Sequence, residues 1–277
     1  MTKATRRLGV LALGKFKLGY IFSAPGLLAG PLYSYTEYGG LPQKSAPKTL
    51  VLYKILTAAA FFSVHDVTGH VFPLHKNGDL GFVESTLFLQ RIVYLWISSF
   101  VARMNYYWLW SLSEGLCNAA GLGRDARGHW DAISDYSFLT LELSTNMIHF
   151  TRNWNKTTSA WLKRLVYYRF SHMRTALTFL VSALWHGPHP GIFIGFSAWA
   201  VVVSANRKVA KLDLHSRLPS ARWRFLHTFM SWLTTQLAVG FILTTIHLQG
   251  VERILVFWSS MYYSLPLGAL LCLLLPV

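Results

Sequence analysis

The sequence predicts an all-α fold, a multispanning transmembrane helical bundle whose broken or re-entrant helices surround an intramembrane chamber. Three observations carry that expectation. Hydrophobic residues make up 53% of the 277 and charged residues 13%, roughly half the charged share of an ordinary soluble domain. Several apolar runs, Thr228–Leu248 and Ile254–Val277 among them, approach the roughly 20 residues needed to cross a bilayer. Glycines and prolines interrupt two other apolar stretches, Leu18–Tyr35 and Thr175–Ala205. Such breaks are tolerated at membrane depth only where protein or water satisfies the freed backbone.

One domain covering residues 1–277 is expected, with no internal repeat or low-complexity tract. The 26 Lys and Arg against 11 Asp and Glu would suggest nucleic acid in a soluble protein. In so apolar a chain the excess fits basic loops under the positive-inside rule, and no nucleic-acid partner is expected. Cys117 and Cys272 lie far apart in apolar surroundings, offering neither a disulfide framework nor metal-ligand spacing. The opening Met1–Arg7 precedes an apolar stretch broken at Lys15 and Lys17, without the core and cleavage site of a signal peptide.

Along the chain, Leu18–Tyr35 carries Gly19, Pro25, Gly26, Gly30 and Pro31, which predicts a bent or re-entrant segment. Thr49–Val64 predicts a short helix and His65–Gly81 a polar connector. His65, His70 and His75 recur every five residues, matching neither one helical face nor a zinc spacing, and read as solvated loop residues. Thr86–Ala102 and Met104–Ala120 form a nearly continuous apolar region. Within it Asn105, Glu114 and Asn118 are expensive against lipid, so they are expected to face protein or a cavity.

Gly121–Asp135 is a polar loop. From Tyr136 an amphipathic helix is predicted, because Leu139, Leu143, Met147 and Phe150 recur at spacings of four, four and three. Arg152–Arg174 holds six basic residues and no acid, and Asn206–Arg224 holds six against one Asp. Both should be cytoplasmic, so Thr175–Ala205 must leave that side and return. At 1.5 Å per residue, Thr175–Trp185 reaches about 16 Å and Ile192–Ala205 about 21 Å, short of a core roughly 30 Å thick. A broken hairpin with His186 near its apex meets these constraints, and one kinked span is the rival. Phe225–Leu248 and Ile254–Val277, joined by the short Gln249–Arg253, should be antiparallel neighbours. His227 and His247, near the ends of the first of these, read as structural.

His186 is the leading chemical candidate. A buried imidazole titrates near neutrality and can act as a general base, and the Gly-Pro frame around it would fix its orientation. The bland alternative is a core histidine bonded to a carbonyl. His189 sits between two prolines and cannot share a helical face with His186, so no metal site is expected. Asn155 is the second candidate. A neutral carboxamide lines a membrane cavity without the penalty of a charge, and it can donate to a developing oxyanion. Asn155-Lys156-Thr157 also reads as a glycosylation sequon, although the basic residues around it argue against a lumenal position. No nucleophile elbow, phosphate loop or dinucleotide fingerprint occurs. Ser182 carries no mark of an activated nucleophile, which favours direct transfer to an acceptor hydroxyl.

Trp154-Asn155, followed 31 residues later by Trp185-His186-Gly187 and then by Pro190-Gly191 and Phe196, resembles the membrane-bound O-acyltransferase family, and more narrowly its lysophospholipid branch. Supporting matches are Gly30-Pro31 with Tyr35; Arg103, Tyr106, Tyr107 and Trp110; Asn118 to Gly121; Trp130-Asp131; and Trp258 to Tyr263. Ile192 departs from the pattern, since many relatives carry tyrosine there. The resemblance implies His186 as base and Asn155 as positioning or oxyanion group, with Trp154, Lys156, Trp185 and Gly187 contacting substrate. It implies acyl-CoA as co-substrate with no separate cofactor, a lysophospholipid acceptor, and a multi-pass position in the endoplasmic reticulum membrane. Members of the family are longer, so the chain reads as the C-terminal part of the family fold. The alternatives are a family member with a sterol, diacylglycerol or protein acceptor, or a noncatalytic membrane fragment. A transporter is disfavoured by the missing repeat and by the few membrane carboxylates, Glu114 and Glu142.

Overall fold

A computed structural model describes residues 18–22, 30–39 and 45–276. The first seventeen residues, and with them the Met1–Arg7 expectation, lie outside the described residues, as do Pro25 and Gly26 of the breaker-rich segment. No strand occurs among the described residues. The helices are α1 (Tyr35–Gly39), α2 (Lys48–Gly69), a 3-10 turn (Leu74–Gly78), α3 (Leu80–Ser85), α4 (Phe88–Ala119), α5 (Phe138–Glu142) and α6 (Met147–Asn153). Next come α7 (Lys156–Leu162) with a π-helical turn (Lys163–Tyr167), α8 (Arg174–His186), α9 (Pro190–Ala210), α10 (Ala221–Leu248), α11 (Val251–Ser260) and α12 (Ser264–Leu274).

The chain is a helical membrane protein. Three stretches, Lys48–Gly78, Pro190–Ala210 and Ala221–Leu248, are long and apolar enough to cross a membrane, and α11 with α12 forms a further pair bent by 73°. Leu52, Leu56 and Val67 on α2, Phe225 and Phe229 on α10, and Leu271 and Leu274 on α12 are exposed. Apolar faces of that extent mark surfaces for lipid or protein rather than water.

α4 is the central post. Its 32 residues run unbroken through both apolar stretches expected from the sequence, and its polar side chains turn inward. Ser98, Ser99, Arg103, Glu114 and Asn118 are all buried, while Asn105 accepts from the Trp108 indole at 2.9 Å. α2 packs antiparallel to α4, tied by the Lys54–Glu114 ion pair at 2.9 Å. α10 crosses the other side, with the Gly240 backbone against Ser99. The Arg103 guanidinium donates to both carboxylate oxygens of Glu142, at 2.8 and 2.7 Å, and to Gln236 at 3.1 Å. That pair joins α4, α5 and α10 where an unpaired charge would be prohibitive.

Four expectations need correction. α2 continues to Gly69, so His65 is helical and not in a solvated connector. Its Nδ1 lies 3.2 Å from the Val101 carbonyl on α4, and packing against that neighbour outweighs the ring's polarity. The amphipathic helix expected from Tyr136 is split into α5 and α6. Ser144 donates to the Thr140 carbonyl and Asn146 caps α6 by accepting from the His149 amide. Side-chain competition of this kind ends helices, and it turns Leu139 and Leu143 outward at 66% and 65% exposure while Leu141 is buried.

α9 extends to 21 residues, about 31 Å at 1.5 Å per residue, so it suffices as a span by itself. Pro190 occupies its first turn, where no amide is needed, and Arg207 and Lys208 lie in its last turn, where cations suit the helix end. α8, at 13 residues, remains short, and the expected break after His186 is present. Finally, the last apolar run is not one straight helix but a pair, α11 and α12, bent by 73°. Tyr262 and Tyr263 take positive φ, the Tyr263 amide bonds the Trp258 carbonyl at 2.8 Å, and the helix closes there.

Candidate active site

A chamber of about 540 Å³ lies among α4, α6, α7, α8, α9 and α10. Most of the wall is helix faces, with Gly30 and Leu32 added from the connector before α1. α9 contributes Ile192, Phe196, Trp199, Val203 and Arg207; α8 contributes Thr175, Thr178, Phe179, Ser182 and His186; the start of α7 contributes Asn155, Thr158, Ser159 and Leu162. Spacings of three and four put these side chains on single helical faces.

His186 is the last residue of α8. Gly187, at φ 125°, ends the helix in a backbone region that a Cβ would strain, and Pro190 starts α9 three residues later. The imidazole stacks on Phe196 at 5.1 Å and meets Trp185 edge-on at 4.8 Å. Gly191 allows this corner to sit against α10: its amide donates to the Gln249 carbonyl at 3.1 Å. A Cβ there would stand 2.6 Å from the Thr245 carbonyl oxygen. The spacing of the Trp-His-Gly-x-x-Pro-Gly run therefore has a local physical reason at each glycine and proline.

Asn155 lines the same chamber from the other side. It is half-buried and takes a left-handed backbone, φ 47° and ψ 58°, at the N-cap of α7 without a side-chain cap bond. Trp154 beside it packs on Trp110 at 4.9 Å, Tyr106 at 5.1 Å and Phe150 at 5.5 Å. The first turn of α7 is held from outside the helix. The Asp135 carbonyl accepts from the Lys156 amide at 2.9 Å, and the Asp135 carboxylate accepts from the Thr157 amide at 3.0 Å and the Thr157 hydroxyl at 2.6 Å.

Of the residues singled out from the sequence, His186, Asn155, Trp154 and Trp185 are brought together in the chamber lining, as is Lys163, one of the six basic residues of Arg152–Arg174. Lys156 and Gly187 are outside that lining; Lys156 begins α7 and Gly187 ends α8. Arg207 and Thr178 are lining residues that sequence reasoning left in a basic loop or an anonymous apolar run. The signal that could have found them is the three-and-four spacing with Phe196 and His186. From Phe196 to Arg207 is eleven residues of helix, about 16 Å, so the chamber wall runs from the imidazole to a cationic end. There Arg207 donates to the Thr175 hydroxyl at 2.8 Å.

An apolar chamber lined by one imidazole, exposed rather than buried as expected, one carboxamide and a basic end suits proton transfer beside a developing oxyanion. Among the described residues no cluster of three metal-ligating side chains occurs. Residues 15–246 match the family model described as MBOAT, membrane-bound O-acyltransferase family. The chain is 32% identical over 288 residues to membrane-bound glycerophospholipid O-acyltransferase 2 of Homo sapiens, covering 94% of this chain and 55% of that protein. It is 32% identical over 252 residues to membrane-bound glycerophospholipid O-acyltransferase 1 of Mus musculus, covering 88% and 51%. With lysophospholipid acyltransferase 6 of Drosophila melanogaster the identity is 29% over 251 residues, covering 80% and 35%. The chain thus spans about half the length of the first two relatives.

Proposed function

The chain belongs to the membrane-bound O-acyltransferase family, and on that premise we propose that it transfers a fatty acyl group from acyl-CoA to a lysophospholipid hydroxyl. The observation that carries the reading is the shared chamber lining of His186 and Asn155. Neutral His186 removes the proton of the acceptor hydroxyl as its oxygen attacks the thioester carbonyl. The Asn155 carboxamide donates to the resulting oxyanion. Collapse breaks the C–S bond, and the imidazolium returns its proton to the departing thiolate, leaving ester and free CoA thiol. No acyl-enzyme and no further cofactor is needed.

Arg207 and Lys163 supply cations for the phosphates of CoA, and the length of the α9 wall lets an extended pantetheine arm carry the thioester to His186. The basic segments then lie on the cytoplasmic side, where acyl-CoA is found, with the endoplasmic reticulum as the membrane. Precursors of phosphatidylethanolamine and phosphatidylserine are the proposed acceptors, because Trp258 to Tyr263 resembles the closing span of the branch that remodels those two lipids. Lipid and acyl donor both favour the apolar lining.

The test is a liposome assay with labelled oleoyl-CoA and a panel of lysophospholipids, a sterol and diacylglycerol. His186→Ala should lose roughly 10²–10⁴-fold in turnover and Asn155→Ala about 10²–10³-fold, with membrane insertion unchanged. Undiminished turnover in the histidine variant rejects the assigned base. Transfer to the sterol or diacylglycerol alone replaces the acceptor. Microscopy of the tagged chain against a reticulum marker tests the location.

A further inference from the structure

We propose that Asp135 is a positioning residue for acyl transfer: its carboxylate takes over the capping of α7 so that the Asn155 carboxamide stays free for the chamber. The proposal rests on the acyl-transfer reading for its function and on geometry for its mechanism. An asparagine at an N-cap ordinarily turns its side-chain oxygen onto the second or third amide of its own helix. Asn155 occupies that position without making the bond. The Thr157 amide is instead taken by Asp135, which comes from a connector twenty-two residues upstream. The Thr157 hydroxyl donates to the same carboxylate oxygen and accepts from the Leu32 amide at 2.9 Å. Leu32 also lines the chamber, so one carboxylate joins the connector, the α7 corner and the chamber wall.

Holding a carboxylate there is unfavourable. Asp135 is 3% exposed. Burial pushes its carboxyl up to about 6, against the two Thr157 bonds and Lys156, which lower it, and with the added repulsion of Glu114. The charged and titratable groups facing it are Glu114 and Cys117 on α4 and Lys156 on α7, with Lys54 on α2 bound to Glu114. At neutral pH the clamp is ionised, and a charge-assisted bond is about twice as strong as a neutral one. Below about pH 6 the proton weakens it.

A residue that merely held the fold together would lose stability and turnover together when replaced. Asp135→Asn keeps an acceptor oxygen and removes the buried charge. The full chain in liposomes or detergent should show a higher melting temperature at pH 7.5 in this variant. Its kcat should fall about tenfold, the scale of one weakened charged hydrogen bond, with the KM for oleoyl-CoA within about twofold. Hydrogen exchange of the peptide 155–162, corrected for intrinsic rates, supplies a readout that needs no turnover. Wild-type protection should drop below about pH 6, while the variant is already less protected at pH 7.5 and shows no such step. Equal protection in both proteins at pH 7.5, or a parallel loss of stability and kcat, overturns the proposal. A wild type that transfers no acyl group sinks the functional reading alone, and the exchange data still decide the clamp.

Discussion

Arg103 on α4 and Glu142 at the end of α5 form a two-pronged ion pair, at 2.8 and 2.7 Å, between helices 39 residues apart in sequence. Tyr107 donates to the same carboxylate at 2.7 Å, and Trp232 on α10 bonds the Glu142 carbonyl at 2.7 Å. Glu142→Ala strands a guanidinium with 0% exposure, so it should destabilise the bundle by about 3–5 kcal/mol. Arg103→Met combined with Glu142→Leu should recover most of that loss. Thermal unfolding in one detergent compares the three proteins, and a double variant no better than the single one would remove the stranded charge as the cause.

Gly191→Ala is expected to force α9 and α10 apart, because the new methyl meets backbone at 2.6 and 2.8 Å. Overpacking against rigid atoms should reduce stability by about 1–3 kcal/mol, and turnover with it, since His186 lies five residues earlier. Gly268→Ala is the control. Its Cβ meets nothing within 4 Å among the described residues, and alanine in a helix is favourable by up to about 1 kcal/mol. Equal melting temperatures for the two variants would contradict the close approach.

Arg207→Ala tests the basic end of the chamber. Arg207 lines it and bonds Thr175. We predict a rise of about tenfold in the KM for acyl-CoA, or 1.4 kcal/mol, with kcat little changed. Added salt should raise the wild-type KM in the same direction. An unchanged KM would move the phosphate contacts elsewhere.

The stability of Asp135→Asn relative to wild type should depend on pH with a defined sign. The carboxyl is raised from 3.8 to about 6 in the fold, so the unfolded chain releases its proton first. The contribution of this group is fully present below about pH 4 and is lost as pH rises through about 6. Two units correspond to about 3 kcal/mol, the most by which the variant should exceed wild type at pH 7.5. The difference should vanish near pH 4. A gap that widened toward acid would reverse the assignment.

Much of the site was open to reading in one dimension. Trp154-Asn155 and the Trp-His-Gly-x-x-Pro-Gly run carried the resemblance to the family, and in the second the glycines and proline answer to local backbone demands: Gly187 ends α8, Pro190 starts α9, and Gly191 admits α10. The inward polar face of α4 was also foreseeable, since Glu114 and Asn118 could not face lipid. The α5–α6 break was not, because a periodic row of leucines outweighed the Ser144 and Asn146 bonds that end the helices. Nor was the 73° bend between α11 and α12, although Pro266 stands in the first turn of α12, where a new helix tolerates it.

Sequence alone determined that the chain is helical and membrane-embedded, where its central break falls, and which imidazole and carboxamide to watch. The first two follow from composition and from interactions within a few residues, the third from the resemblance of two short motifs to the family. Tertiary structure decided that Arg207 lines the far end of the chamber, that Glu142 answers Arg103, and that Asp135 caps the helix which begins after Asn155. Each of those depends on helix faces distant in sequence being pressed together. A face's period is written locally, but its partner is chosen by packing.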